Sequence, residues 1–369
     1  MNIAILAYNR IDSLKRLLDS LKSTRLIDTC DVYIFLDYNS SKISRSEIWT
    51  LLKNYTIADI YESEVNLGLK ENMHRVLKWA SIQSSPTMVL EDDLYVSKNA
   101  IDYAIQVLDF YIDEPRIGMY SLYHQHYIYT TEFPFIPLIE NSDVYMMQFP
   151  SSSGFVVTSE IANKYIQFVQ KHNDNNSFPI HPKISNWPDT SWKKIYTAFL
   201  VKENLYTVFP RISYTTNFGE KGENHHYKSN HFQSLLSVFE TDSFTFKKLN
   251  STFAIYDHCM EWQPSELLFP DFKNTTFDLN GAKNAELIDT DWVITLRKTK
   301  EHDGQYARRL KPQEANIIEK MDGDTFYKIN KVQFEKAKLP KKFYQDLIDY
   351  HYIFTSKKSL LAYVKDSLF

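Results

Sequence analysis

Short apolar runs alternate with segments of helical period through the first 91 residues, and this alternation restricts the possible folds more than any other feature. "NIAILA" is apolar throughout, and "IDSLKRLLDSLKS" follows with Leu14, Leu17, Leu18 and Leu21 at helical spacing. "DVYIFL" reads as a second strand, "SRSEIWTLLKNY" as a second helix and "ADIYES" as a weak third strand. "LKENMHRVLKWA" then sets Leu69, Met73, Val76, Leu77 and Ala80 on one helical face, and "TMVL" closes the series as a fully buried strand. The order β-α-β-α-β-α-β predicts an α/β fold, a mostly parallel sheet with helices on both faces and right-handed crossovers. The second half is less regular. "GFVVT" and "LYTVFPRISY" read as strands, Glu160 to Lys171 and Trp192 to Lys202 as helices, with a loop rich in Asn and Pro between the helices.

With 369 residues, 43% of them hydrophobic, the chain can bury a sizeable core as one large domain or two ordinary ones. A net charge of −4 and a pI near 6.3 give no basic face for nucleic acid, so an anionic ligand must be held locally. Cys30 and Cys259 read as free thiols of a reducing compartment. No run approaches the ~20 apolar residues of a membrane span, and "NIAILAY" starts without a charged segment or cleavage site. The expected location is cytoplasmic.

In open α/β sheets ligands bind beyond the carboxyl ends of the strands. Tyr8, Asn9 and Arg10 follow the first strand, Asp37, Tyr38 and Asn39 the second, and Glu91, Asp92 and Asp93 the fourth. If strand conformation persists, Glu91 and Asp93 point one way and Asp92 the other. Three adjacent carboxylates need a counter-ion, and a magnesium or manganese ion bridging a carboxylate to substrate phosphates is the natural one. Solvated turns or helix caps are the competing account of acidic strand ends, against which stand the apolar flanks and the agreement of three strand ends.

Four segments in order, "AYNRIDSLKRLLDSL", "FLDYNS", "LEDDLYVS" and "PRISYTTNFGEKGENHH", resemble the GT-A glycosyltransferases, and more specifically the N-acetylglucosaminyltransferase I family. The resemblance covers roughly residues 2 to 232. It implies a GT-A catalytic domain over 1–235, with a nucleotide-sugar half to about 115 and an acceptor half over 116–235, and a C-terminal α+β extension over 236–369. The implied reaction is inverting transfer from a UDP-sugar, UDP-GlcNAc first, with Mn2+ or Mg2+, onto a glycan or lipid-linked saccharide in bacterial surface polysaccharide synthesis. Ala7, Arg10, Asp37, His74, Glu91, Asp92, Gly219, Lys221 and Gly222 fall at donor-contacting positions, Asp93 at the metal ligand, and His225 is a further candidate for the metal or phosphate shell. Arg10 stands at the family's uracil-contacting arginine and is alternatively a salt-bridge partner for Asp37. The family's Trp-Asp-Asp-Trp segment appears as "WPDTSW", which makes Asp189 the candidate base, and its Gly-Leu-Gly-Trp stretch appears as "SSSGF", which implies a different acceptor.

The residues carry their own chemistry beside this resemblance. Asp37 as a carboxylate accepts the uracil N3–H that cytosine lacks, unless it simply closes a strand-end turn. Asp189 on the face opposite the leaving diphosphate suits a base, whereas "PDTSWKKIYTAF" also offers Asp189 or Thr190 as a helix cap. His74 is equally a solvated or core-edge histidine. Gly219, Lys221 and Gly222 make residues 215–227 a candidate lid, ordered by donor and metal. From residue 331 eight lysines face Glu335, Asp346, Asp349 and Asp366; a packed helix with a solvated lysine face is favoured there over peripheral contact with an anionic bilayer. A nucleotidyltransferase would carry a glycine-rich loop after the first strand, and "LAYNRID" has no glycine. A noncatalytic carbohydrate-binding protein would not need acidic cluster, base and glycine-lysine loop together.

Overall fold

The computed structural model describes residues 1–172, 178–219 and 230–351. The chain divides into two compact units, one formed by Met1–Gln125 and Ile139–Asp271, the other by His126–Leu138 and the chain from Phe272 onward. In the first unit the expected series is present in full: β1 (Asn2–Ala7), α1 (Ile11–Lys22), β2 (Asp31–Leu36), α2 (Lys42–Leu52), β3 (Asp59–Glu62), α3 (Gly68–Ala80) and β4 (Thr87–Glu91). β5 (Leu94–Val96), α4 (Ala100–Phe110), β6 (Ile117–Ser121), β7 (Val144–Met147), β8 (Phe155–Val157), α5 (Ser159–Lys171), α6 (Pro182–Ser185), α7 (Trp192–Lys202), β9 (Tyr206–Pro210), β10 (Thr215–Asn217) and β11 (Ile255–Tyr256) follow.

Nine strands form one sheet in the order β11-β7-β9-β6-β8-β4-β1-β2-β3. The block β3-β2-β1-β4 is parallel, as are β6-β9 and β7-β11, while β8 runs antiparallel between β4 and β6, and β7 antiparallel to β9. The sheet is therefore mostly parallel, and helices flank it. Leu14, Leu17, Leu18 and Leu21 of α1 and Met73, Val76, Leu77 and Ala80 of α3 are all buried, which is why those spacings read as helices. At ~25 cal/mol per Å2, burial of each such leucine stabilises the fold by roughly 1.5–3 kcal/mol. Register fixes the site: Ala7 pairs with Leu36 and Leu6 with Glu91, so the turns after β1, β2 and β4 lie side by side.

The second unit is α+β. β12 (Thr275–Asp278), β13 (Trp292–Thr295), β15 (Phe326–Asn330) and β14 (Gly304–Tyr306) form a sheet in that order, accompanied by α8 (Glu314–Ile318), α9 (Lys331–Lys336) and α10 (Phe343–His351). Ile288, Val293, Ile329 and Phe334 form part of its core. The lysine-rich tail beyond His351 lies outside the described residues. No helix among those described is long and apolar enough to cross a membrane, and both cysteines are free.

Candidate active site

The strand ends at Glu91. Asp92 and Asp93 form a turn, and the chain reverses into β5, so the strict alternation expected across the three carboxylates stops one residue in. Arg10 reaches both turn residues instead: its Nη1 donates to Asp93 Oδ2 at 2.8 Å and its Nη2 forms a short contact with Asp92 Oδ1. Asp92 Oδ2 accepts the Tyr8 N–H at 3.3 Å. Arg10 thus pairs with the acidic turn rather than with Asp37, and it supplies part of the counter-charge for which the sequence suggested a cation. Burial opposes the Arg10 charge, but Asp92 and Asp93 outweigh it and hold the guanidinium above its ordinary range. Burial pushes Asp92 up to about 6 in spite of Arg10.

Glu91 has less relief, with Arg10 acting on it through its charge alone. Its Oε1 is shut off from solvent without a hydrogen-bond partner, and burial first, then Asp93, raise its pKa. The second cation acting on it, after Arg10, is Lys193 of α7, which is not among the residues the sequence points to. The Lys193 Nζ lies 4.9 Å from the Phe149 ring centroid and 5.8 Å from that of Trp187; burial lowers its pKa to about 8, with Glu91 pulling the other way. A signal existed: Lys193 shares helical spacing with Thr197 and Leu200, both fully buried.

Asp37 is buried and occupied. Its Oδ1 accepts from the Tyr38 N–H (2.8 Å), the Ser63 hydroxyl (2.9 Å) and the Leu67 N–H (2.9 Å), and its Oδ2 from the Gly68 N–H (2.8 Å). The carboxylate ties the end of β2 to the start of α3, where Gly68 takes a left-handed φ of +73°. The strand-end turn role is therefore real, and Oδ2 retains acceptor capacity beside it. The Ala7 carbonyl accepts the Asp37 N–H at 2.9 Å. His74 Nε2 lies 3.1 Å from the Tyr165 hydroxyl, packing α3 on α5 as a core-edge histidine would.

Asp189 precedes α7 with its side chain 98% exposed, 3.3 Å from Lys194 Nζ. The helix cap is neither Asp189 nor Thr190: Ser191 occupies that position, without a side-chain cap bond. β10 pairs antiparallel with β5, Asn217 opposite Leu94, so the first residues of the candidate lid are bonded to the strand that leaves the acidic turn. Phe218 meets Tyr95 edge-on and lies under the Arg16 guanidinium, and Gly219, at φ +61°, donates its N–H to Asn217 Oδ1. Lys221, Gly222 and His225 lie outside the described residues. From the "SSSGF" stretch, the Ser153 carbonyl accepts from Thr215, and a Cβ on Gly154 would meet Thr215 Cγ2 at 3.0 Å.

Among the described residues no group of three or more His, Cys, Asp or Glu could hold a metal ion by itself. A magnesium-like ion needs only one or two protein carboxylates when phosphates complete its shell. Asp93 fits that limited part: its side chain is 27% exposed and only Oδ2 is engaged by Arg10.

No protein-family model matches the chain, and no curated protein matches it. Among solved structures it is similar to the mannosyltransferase PcManGT from Pyrobaculum calidifontis in complex with GDP-Man and Mn2+, at 12% identity over 57% of this chain and 54% of that one, TM-score 0.38. It is also similar to S. aureus TarS 1-349 in complex with UDP-GlcNAc, at 11% identity over 60% of each chain, TM-score 0.39. The chain thus spans little more than half the length of these neighbours. Likenesses this remote leave the residue roles to geometry and chemistry.

Proposed function

We propose that this chain is a metal-dependent, inverting GT-A glycosyltransferase of the N-acetylglucosaminyltransferase I type, moving a sugar, GlcNAc first, from UDP to a saccharide acceptor. The observation that carries the reading is the register that sets Arg10, Asp37 and the Glu91-Asp92-Asp93 turn along one sheet edge, with β10 bonded to the strand leaving that turn. Asp93 would hold the ion through the carboxylate oxygen that Arg10 leaves open, with donor phosphates completing the shell. Bound there, a divalent cation offsets charge on a departing diphosphate. Arg10 fixes the turn by gripping both aspartates. Asp37 anchors the start of α3 and offers Oδ2 to a uracil N3–H. Glu91 and Lys193, both half-buried, present an acceptor and a donor suited to sugar hydroxyls. Asp189 stands in solvent, where it would take the acceptor hydroxyl proton as the anomeric bond forms.

The test is turnover across a panel of nucleotide sugars with manganese. UDP-GlcNAc should be consumed, chelator should abolish the reaction, and an α-linked donor should give a β-linked product by NMR coupling constants. Full activity in excess chelator would remove the metal role, and an α-linked product would overturn single displacement.

A further inference from the structure

Two consecutive lysines lie in the first turn of α7, and they turn to different carboxylates. The start of this helix sits close to the acidic turn, since Trp192 packs on Phe155 of β8 at 5.7 Å and Phe155 is the register partner of Val89, two residues before Glu91. Lys193 acts on Glu91. The Lys194 Nζ instead donates to Asp189 Oδ1 and to the Trp187 carbonyl, each at 3.3 Å, and its side chain is only 25% exposed. The backbone around Asp189 is fixed on both sides. The Trp187 N–H donates to the Ile184 carbonyl at 3.0 Å, the Trp187 ring meets Phe149 edge-on, and the Ser191 N–H donates to the Pro188 carbonyl at 2.9 Å, closing a turn around Asp189 and Thr190. What the turn leaves undetermined is the Asp189 side chain, which stands almost wholly in solvent. Among the described residues Lys194 is the group that bonds it.

Taking Asp189 as the base proposed above, we infer that Lys194 is its positioning residue, holding Oδ1 and leaving Oδ2 to receive the proton of the attacking hydroxyl. As the hydroxyl oxygen bonds the anomeric carbon, UDP departs with the electron pair of the broken bond and the proton passes to Oδ2. An unrestrained exposed carboxylate visits several rotamers, of which only those aiming an oxygen at the hydroxyl are productive. A carboxylate already held is oriented before the hydroxyl arrives. Lys194 suits this part because its own ammonium is tied to the Trp187 carbonyl, so base and holder belong to one turn. An ion pair this exposed adds little to folding stability, so its effect falls on turnover.

UDP-GlcNAc turnover with manganese, measured on the full chain, tests this through Lys194→Met and Lys194→Arg, each made alone and together with Asp189→Asn. Lys194→Met should lower kcat about tenfold at unchanged donor KM and melting temperature, and Lys194→Arg, which keeps a cationic donor, should retain more of kcat. In the Asp189→Asn background neither change at Lys194 should lower turnover further, because no base is left to orient. Parental kcat in Lys194→Met, an equal loss in the Asp189→Asn background, or a loss accompanied by a raised donor KM or a lowered melting temperature would each overturn the assignment. Parental turnover in Asp189→Asn alone would overturn the base itself, a result distinct from these.

Discussion

Asp37 and Glu91 occupy equivalent places, each at the carboxyl end of a parallel strand on one sheet edge, yet their surroundings are opposite. Asp37 accepts four hydrogen bonds and holds the start of α3 in place. Glu91 keeps a buried oxygen without a partner, in sight of a lysine driven toward neutrality. A satisfied carboxylate stabilises the fold, whereas an unsatisfied one costs stability and persists at sites that bind or react. The acidic turn stands between these extremes, since Arg10 meets Asp92 and Asp93 while leaving one Asp93 oxygen open.

The contrast breaks first at Asp189, the most exposed carboxylate considered. Asp189→Asn should lower turnover by roughly 10²–10⁴ with an unchanged melting temperature, since Ser191 and not Asp189 caps α7. Unaltered turnover would leave the proton to another group. Next in size, Asp93→Ala should cost roughly 10²–10³ in turnover, and added manganese should not restore it; a variant as active as the parent chain would take the metal away from this turn.

Asp37→Asn sharpens the comparison from the other side. An amide would turn N–H toward one of the N–H donors now satisfied, so stability should fall by about 1–3 kcal/mol in urea unfolding, alongside weaker UDP binding by calorimetry. Lost UDP affinity at full stability would mean that the structural bonds contribute little. The smallest effect concerns Lys193. Folded, it titrates near 8, below the ordinary lysine value of 10.5, so the unfolded chain binds more protons between those values. Stability should therefore rise with pH across that window and be lost as pH falls back through 8. Lys193→Met should flatten this slope in thermal melts, and an identical slope in parent and variant would remove the desolvated-lysine account.

The elements most legible in the sequence were those whose burial is complete and local. "NIAILA", "DVYIFL" and "TMVL" became central strands because both of their faces are covered, and the leucines of α1 became its buried stripe. β6 and β7 escaped notice because "IGMYSLYHQHY" and "DVYMMQF" mix tyrosine, methionine and polar residues without a clear period, and their place was set by pairing with β9.

At the site the division is similar. Sequence alone put Arg10, Asp37 and the three acidic residues at neighbouring strand ends, because a parallel sheet with regular crossovers leaves its carboxyl ends on one edge. It did not determine which charges pair. That Arg10 grips Asp92 and Asp93, that Asp37 is consumed by α3, and that Lys193 comes from more than a hundred residues away to face Glu91 are consequences of the assembled fold. Electrostatic partnership and desolvation depend on distances and exposure in three dimensions, which periodicity along the chain does not encode.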